Sequence, residues 1–166
     1  MAQGRLLIVE DDAALAALLE EYMREAGYQV ATRHRGDDAL ALLATTSFDL
    51  VLSDIVMPGA DGLSILKSAG GDSLRTLVIL MTGYSGIEDA IHAVELGAYD
   101  FVSKPFQLPE IRVRLDNAAR YQQLLRKMAA LSGEVRPGES EAEAAPPVRP
   151  ISEQQASRLY GGISRF

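Results

Sequence analysis

Leu50-Val-Leu-Ser-Asp-Ile-Val-Met-Pro-Gly59 is the stretch on which the fold turns. Three apolar residues and a serine lead to an acid, Asp54, and the chain then reverses at Met57-Pro58-Gly59, a turn-forming sequence. Apolar residues in an unbroken run, not alternating with polar ones, fit a strand buried on both faces.

The same pattern recurs on either side. Leu6–Val9 and Thr76–Met81 are further apolar runs, and Tyr28–Thr32 and Tyr99–Val102 are further strand-like segments. Between them lie stretches with helical spacing. In Ala13–Ala26 the apolar residues Leu15, Leu18, Leu19, Tyr22 and Met23 recur every three or four positions. Asp12 is placed to cap that helix and Gly27 to stop it. Asp37–Ala44, Leu63–Ser68 and Ile87–Leu96 are the next helices, and a long one begins at Leu108. Strict alternation of strand and helix predicts an α/β fold with helices on both faces of a parallel sheet. Five such units fit a flavodoxin-like doubly wound five-stranded parallel sheet of order 2-1-3-4-5, here with an extended C-terminal helix.

The 166 residues carry a net charge of -7 and are 48% hydrophobic. Such a chain holds one domain of ordinary size and some extra sequence. The acidic balance gives no basic face of the kind nucleic-acid binders carry, so no direct nucleic-acid contact is expected. The chain has no cysteine, no apolar run near 18 residues and no signal-like segment at its start. These absences predict a cytoplasmic protein that does not enter a membrane.

In a doubly wound sheet, ligands gather at the carboxyl ends of the strands, where strand order reverses. Strand 1 ends in Glu10-Asp11-Asp12, strand 3 in Ser53-Asp54, strand 4 in Thr82-Gly83 and strand 5 in Ser103-Lys104-Pro105. Taken singly, these have ordinary explanations: Asp12 as a helix cap, Thr82 as a strand residue, Lys104 as a solvated loop residue. Taken together, three or four carboxylates converge beside one lysine and one hydroxyl. Packed carboxylates repel unless a cation sits among them. Oxygen ligands without His or Cys favour Mg²⁺ over Zn²⁺. A carboxylate beside Mg²⁺, a lysine and a hydroxyl suits phosphoryl transfer, with the acid as nucleophile and the cations neutralising the equatorial oxygens.

Four segments then resemble the signatures of two-component response-regulator receivers, in order and spacing: Leu7-Ile-Val-Glu-Asp-Asp12, Leu50 to Gly62, Leu80-Met-Thr-Gly83 and Gly97-Ala-Tyr-Asp-Phe-Val-Ser-Lys-Pro-Phe106. The resemblance covers about residues 4–122. It implies that Asp54 is the phosphoacceptor. It implies that Glu10, Asp11, Asp54 and the main-chain carbonyl of Val56 hold Mg²⁺. Thr82 and Lys104 would bind the phosphoryl group, Lys104 would precede a cis peptide to Pro105, and Phe101 would be the switch aromatic. Glu10 stands where many members have Asp, and its longer arm would reach the metal through water. The implied donor is a histidine kinase or a phosphotransfer protein. The implied output is the surface of helix 4, strand 5 and helix 5, acting on a downstream protein. Val56 and Tyr84 take the positions that flank the attacking water and offer it no amide or carboxylate, which predicts a phospho-form lasting minutes or longer. His34 and His92, with no carboxylate partner foreseen, are expected to be surface or packing residues.

The resemblance divides the chain into a receiver domain over 1–121 and an extension of helix 5 over 122–131. A Pro/Glu-rich linker, expected to be disordered, covers 132–150, and a tail that suits a docking peptide covers 151–166. Leu108, Ile111, Leu115, Ala118, Gln122, Leu125 and Ala129 follow heptad spacing. A coiled-coil homodimer is the preferred account of the extension, and a lone frayed helix is the alternative. Two rivals to the main reading stand: a receiver fold that binds without taking phosphate, and an N-terminal fragment of a longer transcription regulator. The stand-alone receiver is favoured over the fragment. Haloacid-dehalogenase-type phosphatases also use an Asp nucleophile after a buried strand, but they need a second Asp two residues on, where this chain has Val56.

Overall fold

A computed structural model describes residues 4–69, 72, 74–83 and 87–132. The elements are β1 (Gly4–Val9), α1 (Ala13–Glu25), β2 (Tyr28–Arg33), α2 (Gly36–Thr45), β3 (Leu50–Asp54), α3 (Gly62–Ala69), β4 (Leu77–Thr82), α4 (Ile87–Glu95), β5 (Asp100–Ser103) and α5 (Leu108–Ser132). The five strands form one sheet of order β2-β1-β3-β4-β5, and every pairing is parallel. This is the doubly wound topology expected from the alternation of elements. Each boundary falls within two residues of its expected place.

Local chemistry explains the boundaries. The Asp12 carboxylate accepts from the amides of Ala14 and Leu15 and so satisfies two donors that the first turn of α1 leaves free. Gly27 follows the helix at φ 104, a conformation that costs glycine little. Asp61 caps α3 in the same way, accepting from the Ser64 amide at 2.9 Å.

The sheet buries both faces. Leu6, Ile8, Leu50, Leu52, Ile79, Met81 and Val102 pack with Leu19 and Met23 of α1 and with Ile111, Leu115 and Ala118 of α5. The intervening strand residues, among them Val9, Ser53, Thr82 and Phe101, alternate to the opposite face. There α3 and α4 touch β3, β4 and β5. Leu52 is fully buried on the central strand, so Leu52→Ala would leave a cavity in this core and cost about 2–5 kcal/mol.

The chain divides into two compact units, Met1–Gln122 and Gln123–Phe166. The first holds the whole sheet. Its last residue, Gln122, is buried and donates to the Asp49 carbonyl at 2.9 Å. Of the second, the described part is the end of α5. Leu124, Met128 and Leu131 are exposed there, at 56%, 43% and 74%. The helix runs one residue into the expected linker, through Ser132. The rest of that linker, the tail over 151–166, and Tyr84 lie outside the described residues.

Candidate functional site

The parallel sheet brings the carboxyl ends of β1, β3, β4 and β5 to one edge, and those of β1, β3 and β5 supply the side chains of a single cluster. Glu10 follows β1 and is fully buried; Asp54 ends β3 and is nearly so. Asp11 is exposed at the rim. Carboxylate oxygens of Glu10, Asp11 and Asp54 all lie within 4.8 Å of one another. Lys104, just past β5, reaches into the group. Its ammonium lies 2.5 Å from Glu10 Oε1 and 2.8 Å and 3.0 Å from the two oxygens of Asp54.

Backbone bonds fix these positions. The Lys104 amide donates to the Thr82 carbonyl at 2.7 Å, tying the two strand ends together. The Ile55 amide donates to the Met81 carbonyl at 3.0 Å, which holds the residue after Asp54 against β4. The Asp12 amide donates to Glu10 Oε2 at 3.1 Å. The Thr82 hydroxyl is buried and donates to the Gly83 carbonyl at 3.1 Å. Phe101 is buried on the same sheet face as Thr82, and its partner across the ladder is Leu80, two residues before Thr82. The Lys104–Pro105 peptide bond is cis. Val56 projects its side chain to solvent, 77% exposed.

The electrostatics follow from crowding. Burial pushes the Glu10 carboxyl up, and its hydrogen bond with Asp54 adds to this, more than Lys104 offsets. Asp11 is raised by its hydrogen bond with Glu10, then by desolvation and by the Glu10 charge. Burial alone would lower the Lys104 ammonium, but its bonds to Asp54 and Glu10 outweigh that and hold it above the usual lysine value. With all three carboxyls ionised, three negative charges against one positive leave two, which a divalent cation would balance. The donor set is oxygen only, so the residues present fit Mg²⁺ or a similar hard ion.

Four contacts escaped the sequence. His34 places Nδ1 3.0 Å from the Glu10 carbonyl, across from the end of β2. His92 does face a carboxylate, 4.0 Å from Glu95, but both are exposed. Two glycines crowd the loop after Asp54: a Cβ on Gly62 would meet the Asp54 carbonyl oxygen at 2.4 Å, and one on Gly36 would meet the Ala60 carbonyl oxygen at 1.7 Å. The signal for both was a glycine opening a helix, where a better helix former is the norm.

Known proteins fit this geometry. Residues 6–116 match the family model described as the response regulator receiver domain. The chain is 36% identical over 132 residues to the transcriptional regulatory protein DltR of Streptococcus agalactiae, covering 80% of this chain and 59% of that protein. It is 36% identical over 123 residues to the DNA-binding transcriptional regulator NtrC of Salmonella typhimurium, covering 74% of this chain and 26% of that one. Among solved structures, NtrX from Brucella abortus in complex with ATP superposes with a TM-score of 0.71 at 29% identity, over 79% of this chain and 30% of that chain. The chain thus spans little more than half of one relative and about a quarter of the other.

Proposed function

This chain belongs to the response regulator receiver domain family, and from that premise we propose that Asp54 accepts a phosphoryl group from a phosphohistidine donor. The donor is a histidine kinase or a phosphotransfer protein. A carboxylate oxygen of Asp54 attacks phosphorus; the phosphorus–nitrogen bond of the donor breaks, and the histidine nitrogen keeps the electron pair. Glu10, Asp11, Asp54 and the Val56 carbonyl would hold Mg²⁺, which when bound neutralises charge on the phosphoryl oxygens. Lys104 turns from Glu10 toward the new oxygens, and Thr82 gives up the Gly83 carbonyl to donate to them.

The observation that carries this reading is the Lys104 ammonium held 2.8 Å from Asp54, inside an acidic group with room for a divalent ion. Phosphorylation adds about -1.5 to -2 charges there. Thr82 and Phe101 share a sheet face on adjacent strands, two register positions apart, so a moved Thr82 hydroxyl would change what the Phe101 ring packs on. That couples Asp54 to the surface of α4, β5 and α5, and through it to a downstream protein. The chain acts as a signalling switch; its chemistry is its own phosphorylation and slow dephosphorylation.

The exposed leucines and methionine at the end of α5 favour pairing with a second copy through that helix. No described helix is long and apolar enough to cross a membrane.

The test is labelling with acetyl phosphate and Mg²⁺, followed by intact mass. The parent gains one phosphoryl group and Asp54→Asn gains none. No gain in the parent removes the reading, and an equal gain in both removes the site.

A further inference from the structure

The loop from Ile55 to Asp61 carries Val56 and closes on itself, because the Gly62 amide donates to the Ile55 carbonyl at 2.7 Å. Its foot is therefore fixed beside Asp54. Its crown, Pro58 to Ala60, rests on the start of α2. The Gly36 amide donates to the Pro58 carbonyl at 2.9 Å. The N-cap residue of α2, Arg35, makes no side-chain capping bond, so a carbonyl of the loop stands in for one.

The approach is close enough to demand glycine. A Cβ on Gly36 would lie 1.7 Å from the Ala60 carbonyl oxygen, 2.5 Å from its carbon and 2.8 Å from its nitrogen. All three are backbone atoms and have no rotamer by which to give way. Gly36 is not among the residues with positive φ, so the backbone conformation does not require glycine there. Glycine also weakens the helix it opens. Space is what remains to explain it. On the other side of the contact, Gly59 sits at φ +88 against the Asp37 carboxylate, where a Cβ would fall 2.5 Å from Oδ1. Asp37 is itself held by Arg35 at 3.0 Å and 3.2 Å.

We infer that Gly36 is a positioning residue: α2 is a strut that sets the height of the Asp54 loop, and with it the Val56 carbonyl offered to the metal. The inference rests on the metal-dependent reading of the site given above. Gly36 touches neither metal nor substrate and acts through Pro58 and Ala60.

The experiment is Mg²⁺ titration by calorimetry on the full chain, with thermal melting of the metal-free protein alongside. The variants are Gly36→Ala and Ala44→Gly. Ala44 is exposed near the other end of α2, so its change weakens the helix without touching the loop. Gly36→Ala is expected to keep the fold and to bind Mg²⁺ about 10-fold more weakly. Ala44→Gly is expected to melt earlier and to bind Mg²⁺ as the parent does. Unchanged Mg²⁺ affinity in Gly36→Ala overturns the inference, and so does equal weakening in both. Should Gly36→Ala not fold, Gly59→Ala strains the loop at its neighbouring contact with Asp37 of α2 and must weaken Mg²⁺ in the same direction; unchanged affinity there overturns the inference as well. A parent that binds no Mg²⁺ overturns the metal-dependent reading beneath it, an outcome told apart from the others by the parent alone.

Discussion

The ammonium of Lys104 lies nearer to Glu10, at 2.5 Å, than to Asp54, at 2.8 Å. The lysine is shared between two buried carboxylates and is not dedicated to Asp54. It is an internal counter-ion for Glu10 and Asp54, and it is expected to compete with an added cation.

Replacing it separates those roles. Lys104→Ala leaves Glu10 and Asp54 buried without their partner, and a broken buried pair is costly. The lysine is part-exposed, so the loss falls below the full buried-pair figure, on the order of 2 kcal/mol in metal-free urea melts. Mg²⁺ affinity should rise severalfold by calorimetry, because the competing positive charge is gone. Weaker Mg²⁺ binding in this variant would contradict the competition.

The pH dependence has a definite sign. Glu10 and Asp11 sit above their ordinary values of 4.5 and 3.8 in the folded protein. A carboxyl raised by folding favours the folded state below its unfolded value, and that contribution is lost as pH rises through the folded value. Metal-free protein should therefore lose melting temperature as pH climbs above about 4.5. Mg²⁺ needs the ionised forms, so its stabilising effect should grow over the same interval. Asp11→Asn should raise the metal-free melting temperature at neutral pH and shrink the response to Mg²⁺. A response to Mg²⁺ that is flat across pH would count against the acidic cluster as its origin.

Thr82 is expected to separate charging from readout. Thr82→Ala removes the hydroxyl that donates to the Gly83 carbonyl but leaves the carbonyl that anchors the Lys104 amide. Acetyl phosphate should still label Asp54. Phosphorylation-dependent changes in amide exchange over α4 and β5 should fall by half or more. Full-size changes in the variant would break the proposed link to Phe101.

The exposed residues of α5 bear on assembly. Leu124→Glu with Leu131→Glu should reduce the mass seen by light scattering from two chains to one, with little effect on the melting of the sheet. A parent that is already monomeric, with and without a phosphate mimic, would remove the coiled-coil account.

The lifetime of the phospho-form is a further check. The exposed aliphatic Val56 offers attacking water no polar group to hold it. Phospho-Asp54 should persist for minutes or longer with no phosphatase present, and Val56→Asn should shorten it severalfold. Decay within seconds in the parent, followed by intact mass, would refute this.

Most of the fold was legible because its signals are local. The apolar runs at Leu6–Val9 and Leu50–Leu52 mark strands covered on both faces, and Asp12 and Gly27 bracket α1 by short-range chemistry. The convergence of Glu10, Asp11, Asp54 and Lys104 was legible because strand ends in a parallel sheet all arrive at one edge. What stayed hidden depends on packing between distant segments. A glycine at the start of α2 marks Gly36 as unusual, but no residue near it identifies Ala60 as what lies against it. Gln122 looks like a polar flaw in an apolar seam until its amide is seen bonded to the Asp49 carbonyl, 73 residues away in sequence. Tyr28 likewise finds Asp116 at 2.7 Å across the molecule, and burial together with that partner holds its phenol well above the usual range. The preference of Lys104 for Glu10 is a matter of tenths of an ångström, which no pattern of residue types encodes.

The parallel strands all run the same way, so Glu10, Asp54, Thr82 and Lys104 collect at one end of the sheet. Ser47 is exposed at the opposite end, in the loop before β3 begins, and the chain has no cysteine. Ser47→Cys would introduce the only thiol in the molecule, on the far side of the strand from Asp54. The polarity of the sheet thereby offers an attachment point for a dye or a surface tether, through which the switch could be watched without disturbing it.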